Sequence, residues 1–189
     1  MQKHFRILTI IFYLIITVLS INPKSTAFPN FPQDATLHGK KTIRNIKETI
    51  SMMLSSSDPA KNEEGKILQN LAFDLNPTIY LSKGEIQNPF GKPAICLESD
   101  VSTIKRLYEI DQQFKQVELI IIKLQQEKDI LITLDLKRLV AFPNLRYICI
   151  SSSFYFCQSK GCEPSVISGM ISDIENSDIT ILYNISITE

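Results

Sequence analysis

The sequence predicts an α/β fold: a single domain on a mostly parallel sheet of about four to five strands, with helices packed on it as repeat-like βα units and two N-terminal helices covering one face. Isoleucine outnumbers leucine, 29 to 19, and β-branched side chains, stiff at the first torsion, suit a pleated surface. Short apolar runs recur through the second half of the chain, separated by stretches long enough for the crossovers that parallel pairing requires. One run, Leu119-Ile120-Ile121-Ile122, has no polar alternation, the pattern of a strand buried on both faces.

The first element is a leader. Lys3 and Arg6 precede an apolar run from Ile7 to Ile21, and a polar stretch ends in the small residues Ser25-Thr26-Ala27, the plan of a secretory signal peptide over residues 1–27. A run of fifteen residues falls short of the roughly twenty that span a bilayer, so contact with a membrane is expected only through this segment if it is left uncleaved. Cleavage after Ala27 removes three basic residues and no acid, changing the formal charge from 0 to −3 over 162 residues. The location predicted is export: secretion, the periplasm or the cell surface. A mildly acidic mature chain has no electrostatic pull on nucleic acid. Residues 28–39, with prolines at 29 and 32 and no periodicity, read as an extended lead-in to a domain over 40–189.

Apolar positions at Ile43, Ile46, Ile50, Met53 and Leu54 predict a helix over 40–54. Asp58 ahead of Pro59 is a helix start, and Ile67, Leu68, Leu71 and Leu75 supply the buried stripe of a second helix over 59–75. Asn76-Pro77 ends it, and Thr78 to Ser82 reads as a short strand. Four further strands follow, in AICLES, VELIIIKL, RYICISSSFYF and DITILYNISI. Helices are predicted between them at Val101 to Phe114, with Asp100 as N-cap, and at Pro164 to Glu175. The segment Asp129 to Leu145 is open to two readings: Ile130 to Leu136 as an antiparallel neighbour of VELIIIKL, or a helical return through Leu136, Leu139 and Val140, and a strand followed by a short return satisfies both.

The stretch LDLKRLVAFPNLRYICIS resembles a leucine-rich repeat, whose core pattern is L-x-x-L-x-L. Leu145, Ile148 and Ile150 match it, Val117, Ile120 and Ile122 repeat the spacing 28 residues earlier, and Ile95 and Leu97 repeat its last two positions 25 before those. The resemblance covers about residues 95–150. Where repeats of this family carry an asparagine ladder, this chain has Asp100, Gln125 and Ser153. The family's open sheet face would be polar, whereas Leu119, Ile121 and Cys149 stand at outward positions. A closed layered domain is therefore expected in preference to an open binding arc.

Four cysteines remain for chemistry. Cys157 and Cys162 flank Gln-Ser-Lys-Gly and are expected to bond, because export permits it and neither redox nor four-cysteine zinc spacing is present. Cys96 and Cys149 are expected inside as small apolar residues, or as a second bridge if their strands adjoin. His38 is the one histidine after the leader, and no glycine-rich phosphate loop occurs. No catalytic residue, metal ligand or cofactor is predicted. Asp100, Asp129, Asp135 and Asp173 could supply an acid and base, but each also reads as a cap or turn residue. Asn184-Ile185-Ser186 fits the glycosylation pattern within a strand. Ligands of open α/β sheets bind beyond the carboxyl ends of the strands, which makes Ser99, Asp100, Gln125, Ser152 and Ser153 the possible ligand rim. The function predicted is a non-catalytic interaction or structural module with an unidentified protein partner; the alternative is a carboxylate-dependent hydrolase with a cleft at that rim.

Overall fold

The structure, a computed structural model, describes residues 42–157 and 161–187; the leader, the lead-in and His38 lie outside them. Lys40–Glu189 form one compact unit. In chain order its elements are β1 (Arg44–Asn45), α1 (Ile46–Leu54), α2 (Pro59–Phe73), β2 (Thr78–Ser82), β3 (Glu85–Gln87), β4 (Cys96–Asp100), β5 (Leu119–Leu124), β6 (Leu134–Asp135), β7 (Tyr147–Ser152), α3 (Glu163–Met170), β8 (Ile171–Ser172) and β9 (Thr180–Ile185), with 3-10 turns in the returns.

The fold is α/β with a mostly parallel sheet, and that sheet has seven strands, not four or five, in the order β1-β9-β7-β5-β4-β2-β3; β6 and β8 form a separate two-stranded pair. The extra strands are two or three residues long, too short to carry an alternating pattern. β3 enters by a hairpin whose two turn residues, Lys83 (φ 53°) and Gly84 (φ 82°), both take left-handed backbone, the geometry of a tight two-residue hairpin loop.

The central strands β2, β4, β5, β7 and β9 are all parallel, and each lies beside its chain neighbour. Every return packs on the same side. Ile104, Leu107, Phe114, Leu136, Phe142, Ile167 and Met170 share one core with Leu97, Ile120, Ile122, Ile148, Ile150 and Ile181 of the strands. The expected helix over Val101 to Phe114 is two 3-10 segments, Val101–Tyr108 and Gln112–Phe114. Val101, Ile104 and Leu107 stand three residues apart, so a three-residue turn stacks them on one line towards the sheet. Asp100 is the N-cap, accepting from the Thr103 amide at 3.0 Å.

The opposite face carries a second core of Ile46, Ile50, Leu68 and Leu71 from α1 and α2 against Cys96, Leu119, Tyr147, Cys149 and Leu182. Asn45 accepts from the Lys47 amide at 2.9 Å, so α1 starts at Ile46, not at Lys40, and Arg44–Asn45 pair instead with β9. Asp58 caps α2 through the Ala60 amide at 2.9 Å. The helices cross closely at buried Gly65, where an added Cβ would lie 2.8 Å from Met53 Cβ. Glu64 of α2 meets both Arg146 and the Tyr147 hydroxyl, and Arg146 also reaches Glu118 at 3.3 Å.

Two further expectations are corrected. Segment 130–136 is not a neighbour of β5, whose partners are β4 and β7; a 3-10 turn at Glu127–Leu131 leads into β6, which pairs with β8. The helix expected over Pro164 to Glu175 stops at Met170, because Ile171 and Ser172 pair with β6 and Asp173 then takes left-handed backbone at φ 63°.

Candidate functional site

Alternation along the strands sorts the side chains on the helix-bearing face into rows. Cys96, Leu119 and Tyr147 stand in register at the amino ends, beneath the helices. The next row runs Tyr80, Glu98, Ile121, Cys149, Leu182, polar at the β2 end and apolar towards β9. The row at the carboxyl ends is polar throughout: Asp100, Lys123, Ser151, Asn184. The helix core takes in Cys149 and Leu182, while along the carboxyl half of this face Lys123 is exposed and Glu98, Ser151 and Asn184 are half-buried.

A crevice of about 250 Å³ opens at the β2–β4–β5 end of this face, where Tyr80, Ser82, Glu98, Lys123 and Gln125 join Ser99 and Asp100 in its lining. Glu98 and Lys123 form an ion pair across β4 and β5. Tyr80 is 37% exposed. Among the described residues, neither the Tyr80 hydroxyl nor the Gln125 side-chain amide has a hydrogen-bond partner.

Three of the five rim residues, Ser99, Asp100 and Gln125, thus come together at this crevice. Ser99 is buried and its hydroxyl shares a hydrogen bond with Thr103 Oγ1 at 2.9 Å. Ser152 is absent from the lining: it is buried, donates to the Phe154 carbonyl at 2.7 Å and accepts from the Phe154 amide at 3.1 Å, so it shapes the exit of β7. Ser153 is exposed beside it and likewise does not line the crevice. Sequence reasoning missed Tyr80, Glu98 and Lys123, which are brought together by register between strands 18 to 25 residues apart along the chain. The one available signal was the interruption of apolar runs at Glu98 and Lys123.

The four candidate carboxylates are each engaged locally. Partial burial would raise the Asp100 carboxyl, but hydrogen bonds from Ser102, the Lys83 amide and Thr103 outweigh it and hold it below its ordinary value. Asp129 is buried and accepts from the amides of Gln125 and Gln126 at 2.8 and 3.1 Å. Asp135 accepts from the Lys137 amide at 3.1 Å, and Asp173 pairs with Lys137 Nζ at 2.8 Å. No two of them share a cleft among the described pockets. A different pair of carboxyl groups, Glu98 and Asp100, does line one crevice.

Cys157 and Cys162 form a disulfide, with Cα atoms 6.2 Å apart. It closes the connection between β7 and α3 and uses up the thiols that, with Glu163, stand close enough to hold a metal ion. Cys96 and Cys149 are free and buried. A second bridge between them is ruled out because β5 separates their strands, and two strand spacings of about 4.8 Å exceed the reach of a disulfide. Burial pushes both thiols up to about 12, Glu118 and Glu98 adding to the effect at Cys96. Among the described residues no helix is long and apolar enough to cross a membrane.

No family model, curated protein or solved structure matches the chain.

Proposed function

We propose that the protein is a small exported module without catalytic chemistry, which binds an external partner through the carboxyl half of the sheet face. The observation that carries this reading is the division of that face. Helices α1 and α2 pack against its amino half, while the exposed Tyr80 and Lys123 and the half-buried Glu98, Ser151 and Asn184 make the rest of the face polar. A sheet face that only had to be buried would carry mostly apolar side chains, as the opposite face does apart from the buried Ser99 and Ser152. Export is supported by the leader plan of residues 1–27 and by the Cys157–Cys162 bond, which belongs to an oxidising compartment. The sequential parallel strands with returns on one side favour a leucine-rich-repeat-like plan with its binding face half closed by the helices.

The test is site-specific photo-cross-linking in the native exported protein. A benzophenone side chain at Ser151 should yield a discrete adduct, and one at Leu131, 81% exposed on the side of the returns, should not. Equal labelling from both positions, or none from Ser151, refutes the reading.

A further inference from the structure

We propose that the crevice at the β2–β4–β5 end of the face is a subsite for a neutral sugar ring, with Tyr80 as the platform and Glu98, Lys123 and Gln125 as hydroxyl partners. This rests on the reading of the sheet face as a binding surface and names the ligand of its β2 end.

The charges in the crevice exclude most other ligands. Glu98 and Lys123 neutralise each other, and the Asp100 carboxylate is taken up by Ser102, Thr103 and the Lys83 amide. An anionic ligand such as a nucleotide would set its phosphates against Glu98 and Asp100 and find one already paired ammonium. An added peptide strand has no edge to join, because β2, β4 and β5 are each paired on both sides.

What the crevice does offer matches a pyranose. Tyr80 is over a third exposed and its hydroxyl has no partner among the described residues, so the C–H face of a sugar can lie on the ring while the phenol bonds a ring hydroxyl. The Gln125 amide is exposed and without a partner among the described residues, offering a donor and an acceptor together. The ion pair leaves lone pairs on Glu98 and N–H groups on Lys123 for neighbouring hydroxyls, as charge-assisted hydrogen bonds. A volume of about 250 Å³ is below the roughly 300–1,000 Å³ of drug-sized pockets and holds about one ring. So small an open site binds weakly, on the order of millimolar, and gains strength when other parts of the face hold the same partner.

Titration of the folded, isotope-labelled protein with the methyl glycosides of glucose, galactose, mannose and N-acetylglucosamine tests this by NMR. At least one should give saturable amide shifts centred on residues 80–82, 98–100 and 123–125. Tyr80→Ala should weaken that binding at least tenfold with the remaining spectrum unchanged, Tyr80→Phe should stay within a few-fold, and Gln125→Ala should lose about three- to tenfold. No saturable shift with any of the four, shifts centred elsewhere, or binding that survives Tyr80→Ala overturns the proposal. A cross-link from Ser151 in a protein that binds none of the glycosides leaves the binding face standing and removes the sugar. Loss of the Ser151 cross-link together with retained glycoside binding does the reverse.

Discussion

Truncating Leu68 to alanine tests how the helix pair is held to the sheet. Leu68 is fully buried, within the cluster that joins α2 to Leu119, Tyr147, Cys149 and Leu182. Leu→Ala at such sites costs about 2–5 kcal/mol, set by how far the surroundings collapse. The sheet beneath is paired on both sides and cannot rise to fill the gap, so a value of about 3 kcal/mol is expected. At about 2–4 °C per kcal/mol for a domain of this size, the melting temperature should fall by about 6–12 °C. Leu75→Ala, at a residue 97% exposed, should stay within about 0.5 kcal/mol. The free thiols add a local readout. Cys96 and Cys149 lie beneath the helices with their thiols pushed up to about 12, so at pH 8 they react only when the cover opens. If the helices open as a unit, weakening their hold by about 3 kcal/mol raises the open population roughly a hundredfold. Urea unfolding and the rate of thiol alkylation, followed by mass, measure both effects. A Leu68→Ala protein as stable as the wild type, or wild-type thiols that alkylate as fast as in urea, would refute the reasoning.

Gly65→Ala should destabilise by about 1–3 kcal/mol despite alanine's better helix propensity, because its Cβ would meet Met53 at 2.8 Å. Gly169→Ala, which meets nothing within 4 Å in α3, should instead stabilise by about 0.5–1 kcal/mol; chemical denaturation of the pair gives the two signs. Replacing Cys157 and Cys162 with serine should cost about 2 kcal/mol for so short a loop and leave a cooperative transition; two thiols alkylated in the untreated exported protein would contradict the bond. The Asp100 carboxyl is held below its ordinary value of 3.8, so its charged form contributes stability above that pH, and the contribution disappears as pH falls through the lower folded value. The stability gap between the wild type and Asp100→Asn at pH 7 should therefore shrink below about pH 3.8; a gap that widens on acidification reverses the sign. Removing residues 40–75 uncovers Leu119, Ile121, Tyr147, Cys149 and Leu182, and at about 1.5–3 kcal/mol per large apolar group the exposed face exceeds the margin of a typical domain. Light scattering should show association, and a monomer of 76–189 that unfolds cooperatively would exclude an obligate cover.

The α/β class and its parallel sheet were legible because long apolar runs rich in β-branched residues report burial over several consecutive positions. The start of α2 at Pro59 behind Asp58 and the Asp100 cap were legible because capping is settled within three residues of chain. Three of the strands, β1, β3 and β8, were not legible, since pairs or triplets of residues hold no period; β6 lay within the strand read at Ile130 to Leu136, but its partner was not. The three-residue spacing of Val101, Ile104 and Leu107 suits the 3-10 return but also falls within the tolerance of an α-helical stripe, so the sequence reads as a helix there.

The candidate site divides in the same way. Asp100 as a cap and the Cys157–Cys162 bond depend on neighbours within a few residues, and the amino-acid order by itself determined them. Tertiary structure alone decided that Tyr80, Glu98 and Lys123 share a crevice, that Ser152 turns inward, that Cys96 and Cys149 stay apart, and that the helices pack on the amino half of a face whose carboxyl half is polar. The physical reason is that each of these depends on which strands adjoin and at what register, and a one-residue slip in register would carry every side chain of a strand to the other face.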